Sequence, residues 1–209
     1  DSRGSERRKA IRSLLETTGA DRLIVLGDFG HAIGAGGRIE RDEIADLVDA
    51  ITERVALTVV KGNHDGEIET VLENRPAVTI TGTEGVRLGD VGLAHGHTWP
   101  AIDVLRAETI CVGHEHPVVR LEDTVGGVRH ERVWLRGPID PAPFREYYGT
   151  DCPAIDGELV VCPAFNELSG GTWVNVAGQS FLAPFLPAAL GDADAYLLDG
   201  TRLGPYDRV

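Results

Sequence analysis

Four short apolar runs in this chain end in the same manner, and that ending limits the folds open to it. Leu26-Gly27-Asp28 closes the first, and Val60-Lys61-Gly62-Asn63-His64-Asp65 closes the second. Leu93-Ala94-His95-Gly96-His97 closes the third, and Cys111-Val112-Gly113-His114-Glu115-His116-Pro117 the fourth. A short, continuous apolar run reads as a strand covered on both faces. Glycine at its end permits a tight turn and close backbone approach. A turn needs only one or two polar residues, yet the second ending carries Asn, His and Asp in succession. In open α/β sheets ligands bind at the strand ends, so four such endings can converge on one rim.

The segments between these runs fit an α/β fold. Ser5 to Thr18 predicts a helix, with Ser5 as N-cap, an Ile11, Leu14, Leu15 stripe and a stop at Gly19. Arg22 to Leu26 is the first strand, followed by the glycine-rich loop Gly34-Ala35-Gly36-Gly37. A second helix from Ile39 to Glu53 places Ile44, Leu47, Val48 and Ile51 on one face. Val55 to Val60 is the next strand, and a short helix follows from Glu67 to Glu73. After Pro76 the pattern turns to strands: Val78–Thr81, Val86–Leu88, Val91–His95, Thr109–Gly113, Val118–Leu121 and Val128–Leu135, the last two joined by a Gly126-Gly127 turn. Gly137 to Gly157, rich in proline, reads as a surface loop, and Leu159–Cys162, Thr172–Val176 and Ala195–Leu198 as final strands. Helices alternating with strands, then mostly strands, predict a sandwich of two mixed sheets flanked by helices. Residues 1–209 read as a single domain.

Composition narrows the function. No run is long and apolar enough to span a bilayer and nothing reads as a signal peptide, so a cytoplasmic protein is expected. Three cysteines in no CxxC pair argue against a disulfide framework, and Cys111 is expected as a buried free thiol. A net charge of −13 disfavours unassisted binding to a phosphate backbone. Lys9 and Lys61 are the only lysines among 20 basic residues, and with abundant Asp and Glu this suggests a salt-adapted, halophilic surface.

Of the seven histidines, His64, His95, His97, His114 and His116 lie within the four endings. Single Gly-Asp or His residues after strands are usually turns or caps, but four in sequence are hard to obtain that way. His114 and His116 are two apart, so on an extended segment both side chains point to one side. A carboxylate, an amide and several imidazoles without thiolate suit Mn, Fe or Zn better than Ca or Mg.

The order Gly-Asp, Gly-Asn-His-Asp, His-Gly-His, Gly-His-x-His resembles that of the calcineurin-like metallophosphoesterases. The motifs span Gly27 to His116, and the later Pro163-Ala-Phe-Asn-Glu-Leu-Ser-Gly-Gly171 is similar to the tail of the archaeal ICC-like phosphoesterases. The resemblance implies a metallophosphoesterase-type α/β sandwich and a hydrolase cleaving a phosphomonoester or phosphodiester with two divalent ions, Mn first among them. By motif, Asp28 would bridge the ions. Asn63, His95 and His114 would complete the second site, and His116 would serve the first. His64 would stand at the scissile phosphate with Asp65 as its orienting partner. His31 and His97 would contact substrate or support the ligands.

One departure bears on the first metal. The family opens with Asp-x-His at the end of its first strand, and those residues ligate that ion. This sequence opens Asp1-Ser2-Arg3-Gly4 and goes straight into a helix. The expectation is a chain lacking that strand of about 5–6 residues with its loop, its first site left with Asp28 and His116. Two other readings compete: a nuclease acting in DNA repair, to which a basic partner delivers DNA, and a non-catalytic scaffold of the same fold. A metal-dependent amidohydrolase also uses His-x-His, but 209 residues is short for its barrel and Gly-Asn-His-Asp has no role there.

Overall fold

A computed structural model of the chain describes residues 2–29, 38–167 and 169–209. His31 and the Gly34 to Gly37 loop lie outside them. The chain is α/β, with two sheets and flanking helices, and divides into two compact units, Asp1–Gly82 and Thr83–Val209.

In the first unit α1 (Ser2–Thr18) leads into β1 (Arg22–Leu26), then α2 (Arg38–Thr52), β2 (Ala56–Val60), α3 (Ile68–Leu72) and β3 (Val78–Thr81). Gly19 ends α1 in the left-handed region (φ 64°) and donates its N–H to Leu15 O at 3.0 Å, as a helix stop should. The three strands are parallel in the order β1-β2-β3, with Leu26 opposite Val60 and Val60 opposite Thr81. Parallel strands need crossovers, and α2 supplies one by burying Leu47, Val48 and Ile51 against Leu57 and Val59. The C-terminal ends of all three strands therefore leave one edge of this sheet level with one another.

The second unit is built on β4 (Val86–Leu88), β5 (Val91–Ala94), β6 (Thr109–Val112), β7 (Val118–Glu122), β8 (Val128–Pro138), α4 (Ala142–Tyr148), β9 (Glu158–Val161), β10 (Asp194–Leu197) and β11 (Arg202–Pro205). The sheet runs β11-β10-β8-β9-β6-β5-β4, with β7 paired to β8. Its centre, β5-β6-β9, is parallel and its other pairings antiparallel. Register sets Ala94, Val112 and Val161 side by side, so His95, Gly113 and Cys162 all step off the same edge. One face carries Ile110, Val112, Leu135, Leu159 and Val161 into a core closed by Phe144 and Phe185.

Several expectations are corrected. α1 begins at Ser2, so Ser5 lies inside the helix and is no cap. Leu14 is 51% exposed, because Ile11 and Leu15, four apart, already fill the buried stripe. β1 is only half-buried: it is the edge of the described sheet, and the central β2 takes the full covering. Gly137 to Gly157 is not one loop: it contains the end of β8 and all of α4, and its longest irregular stretch is 152–157. Two of its prolines sit where a helix tolerates them, Pro141 as N-cap and Pro143 in the first turn of α4, where the N–H groups have no intrahelical partner. Thr172–Val176 is no strand and makes only an isolated bridge, Trp173 to Val118, while β11 was not foreseen. Cys111 is half-buried, since it sits on the sheet face opposite the core beside Cys162. Among the described residues no helix is long and apolar enough to cross a membrane.

Phe144 in α4 is 1% exposed, so Phe144→Ala should cost about 3–5 kcal/mol. Urea unfolding measures this, and a loss under about 1 kcal/mol would show that α4 is not packed into the core.

Arg136 holds Glu158 through two hydrogen bonds of 2.8 and 2.7 Å, and this lowers the Glu158 pKa below its ordinary 4.5. A carboxylate with a depressed folded pKa stabilises the fold above its unfolded pKa and loses that contribution as pH falls through the folded one. The pair is partly exposed, so the effect is small. Between pH of about 5 and 3 the melting temperature of wild type should fall more steeply than that of Glu158→Gln. Parallel curves would show that the pair adds nothing.

Candidate metal centre

Each unit carries its own cluster of predicted site residues. In the first, the loops after β1 and β2 leave adjacent parallel strands and meet at once. Gly27 and Asp28 both take left-handed backbone (φ 82° and 53°), a conformation Asp tolerates better than most residues. Asp28 Oδ1 accepts the N–H of His64 at 3.0 Å. Gly62 lies so near Asp28 that a Cβ there would fall 2.2 Å from Asp28 Oδ1 and 2.5 Å from its backbone nitrogen.

Asp65, 3% exposed, ties the two loops together. Its Oδ1 accepts from Phe29 N–H at 2.8 Å and its Oδ2 from Gly62 N–H at 2.9 Å. Asn63 is exposed and His64 half-buried. The first unit thus brings Asp28, Asn63, His64 and Asp65 into one turn. Among the described residues the His64 ring makes no hydrogen bond, which leaves both ring nitrogens for a ligand.

The second unit gathers imidazoles. His95, 1% exposed, follows β5, and its carbonyl accepts N–H groups from Gly113 and His114, each at 2.9 Å, continuing the β5-β6 ladder into the loops. This seats the His114 ring against that of His95, with Nδ1 of His114 3.0 Å from Nε2 of His95. The two centroids are 4.8 Å apart at 60°. His97 packs on both, with centroids at 5.2 and 5.9 Å. The 3.0 Å contact between His114 Nδ1 and His95 Nε2 is a hydrogen bond from one ring to the other. It is also about the separation of two nitrogens bound at right angles to one ion, each about 2.1 Å from it. The donor set therefore fits a divalent cation.

His116 stands apart from the three rings, which meet tilted or edge-on. The segment from His114 to His116 is a turn rather than an extended stretch, and His116 is left-handed (φ 47°). Its Nδ1 lies 3.1 Å from Gly170 O. A carbonyl only accepts, so Nδ1 carries the proton and Nε2 keeps its lone pair, the usual arrangement for a histidine ligand. Pro163 to Gly171 thereby acquires a role: it leaves the same sheet edge as His95 and returns to orient His116. Arg132 holds the start of that segment through Ala164 O at 2.9 Å.

Glu115 was missed in the sequence. It is 1% exposed and accepts from Thr172 Oγ1 at 2.7 Å and from the N–H groups of Leu182 and Ala183, each at 2.6 Å. The available signal was its place between two histidines at the end of a buried run. The partners come from a stretch with no comparable motif, so only coordinates reveal them.

No protein-family model and no curated protein matches the chain. Among solved structures it is similar to the nuclease MPE of Pseudomonas putida, with a TM-score of 0.62 and 20% identity over 96% of this chain and 78% of that one. This likeness shows the fold. It also aligns with YfcE, a phosphoesterase from E. coli, at 24% identity over 56% of this chain and 67% of that one, and a TM-score of 0.36 is too slight to bear on the fold.

Gly62→Ala should displace either Asp28 or the Gly62 amide and cost about 1–3 kcal/mol, measured by urea unfolding. An unchanged midpoint would show that the two strand ends have room to spare.

Proposed function

We propose that this chain is a metal-dependent phosphoesterase that hydrolyses a phosphomonoester or phosphodiester at a dinuclear centre. The observation that carries the reading is the imidazole pair, His95 Nε2 and His114 Nδ1, 3.0 Å apart at the ends of adjacent parallel strands. In this reading Asp28 would be shared by the two ions. Asn63, His95 and His114 would hold the second ion, and His116 would serve the first. Mixed nitrogen and oxygen donors favour Mn, with Fe and Zn also suited. Two such ions supply a clamp for phosphate oxygens and an acidified water for in-line attack.

The chain's own residues do the rest. Asp28 offers the negative charge that offsets repulsion between cations. Asn63 adds a neutral oxygen without setting more negative charge before an anionic substrate. His64 rides on a loop whose backbone Asp28 holds, and it steadies charge on the phosphate or returns a proton to the leaving oxygen. Asp65 orients His64 through the loop and not through the ring, because its bonds to the Phe29 and Gly62 amides fix the turn that carries His64. His97, packed on the ligand pair, supports it or meets substrate.

A narrower reading makes the ester a nucleic-acid backbone. The similar Pseudomonas putida protein is a nuclease, which supports the reading only through the shared fold. A net charge of −13 opposes unaided binding to DNA, so a basic partner would deliver it.

With Mn²⁺ present the protein should hydrolyse bis(p-nitrophenyl) phosphate, and His64→Ala and Asp28→Asn should each lower kcat/KM by about 100-fold or more. Metal-dependent degradation of single-stranded or duplex DNA would select the nuclease. No turnover of ester or DNA with Mn²⁺, Fe²⁺ or Zn²⁺ would sink the enzyme reading and leave a scaffold.

A further inference from the structure

We infer that Glu115 is a positioning residue for the histidines on either side of it, and that the segment from Gly170 to Ala183 is the frame against which it works. The inference rests on the metal-centre reading above and assigns to that centre a support outside its ligand set.

Glu115 is buried, yet among the described residues no arginine, lysine or histidine forms an ion pair with it. Its charge is met by three donors instead: the Thr172 hydroxyl on Oε2, and the Leu182 and Ala183 amides on Oε1. Its own carbonyl accepts the Thr172 N–H at 3.0 Å. An apolar side chain would fill such a position at no desolvation cost, and would often leave the fold as stable or more so. A carboxylate held by three donors does what an apolar group cannot, because hydrogen bonds have direction and hydrophobic contact has none. Both carboxylate oxygens are fixed, so the turn that carries them is fixed in orientation as well as in depth.

That orientation passes directly to the neighbours. His114 and His116 are each one peptide away. His116 is held in a left-handed backbone that a side-chain-bearing residue rarely adopts unless its surroundings require it. Gly171 presses on the same turn, so close that a Cβ there would sit 2.1 Å from His116 O. The neighbouring Gly170 O takes the Nδ1 proton of His116. Gly170, Gly171 and Thr172 thus contact His116 and Glu115 as one unit. Releasing Glu115 would free His116 to relax toward extended backbone and leave Gly170.

The test uses the full chain, its Glu115→Ala, Glu115→Gln and Thr172→Val variants, and Mn²⁺ alone as probe. Calorimetric titration gives affinity, ¹⁵N-detected NMR of the histidine rings gives the His116 tautomer, and thermal melting gives stability. Glutamine keeps an oxygen for the two amides and can pair with the Thr172 hydroxyl. It should therefore bind Mn²⁺ within about threefold of wild type, while alanine should bind about tenfold or more weakly. The protonated Nδ1 signal of His116 should survive in Glu115→Gln and be lost in Glu115→Ala.

A folded Glu115→Ala protein with wild-type Mn²⁺ affinity and the Nδ1 signal intact overturns the inference. So does a Glu115→Gln protein as impaired as the alanine variant, which would make charge the cause. If Glu115→Ala does not fold, Thr172→Val decides: weaker Mn²⁺ binding at an unchanged melting temperature supports positioning, and unchanged binding refutes it. Should wild type bind no Mn²⁺, the metal reading fails while the tautomer signal still decides the role of Glu115.

Discussion

A carboxylate removed from water must be given donors, and where those donors are backbone amides it fixes the chain that supplies them. Among the described residues each unit contains one such group, in a loop that follows a buried strand. Asp65 binds the amides of Phe29 and Gly62, so the loops after two neighbouring strands cannot separate. Glu115 binds the amides of Leu182 and Ala183 and the hydroxyl of Thr172, drawing a distant stretch of chain onto the turn after β6. Asn63, His114 and His116 sit one or two positions from these anchors, and Asp28 immediately precedes Phe29, whose amide Asp65 binds. Without them Asp28, Asn63, His114 and His116 would hang on loops free to sample many conformations, and loose ligands bind weakly.

Parallel pairing supplies the other half of the arrangement. β1, β2 and β3 end level, as do β5, β6 and β9, so residues far apart in sequence leave the same edge of their sheet. An antiparallel neighbour would send its following loop to the opposite edge. The ring contact between His95 and His114 follows from this, since Ala94 and Val112 are register partners and the residues after them continue the ladder. The glycine at position 62 is needed for the same reason: two strand ends that leave together have little room between them.

Much of this was legible in the sequence because it is local. Apolar runs marked the strands, and β3 and β4 fall where the pattern put them. The helical face of Leu47, Val48 and Ile51 is the buried one. Where reading failed, a distant partner outweighed the local signal. Prolines in a row suggested a loop, yet Pro141 and Pro143 lie where helix entry tolerates them, and the burial of Phe144 in a remote core makes the helix worthwhile. The run Thr172–Val176 has strand-like residues, but its backbone forms only an isolated bridge at Val118, while the Asn175 side chain bonds Arg120 and the Thr172 hydroxyl goes to Glu115. Spacing suggested that His114 and His116 project alike from an extended segment. The buried residue between them bends that segment into a turn.

The row of Asn, His and Asp after β2 poses the question of why a buried run should end in three polar residues, and exposure supplies the answer. Asn63 is exposed, His64 half-buried and Asp65 buried. After β6 the order is half-buried His114, buried Glu115, half-buried His116. Each of these two rows holds one polar residue turned inward and others left more accessible, so each must be read as two layers, while His95 on the separate loop after β5 is itself buried. The inner layer is a carboxylate in both units, because its task is to accept backbone N–H groups, which an imidazole with one acceptor nitrogen does less well. The accessible layer is rich in imidazole and amide, groups that offer lone pairs at neutral pH with little or no negative charge. Both inward carboxylates are thereby given over to geometry, and the accessible positions of each row are left to imidazole and amide.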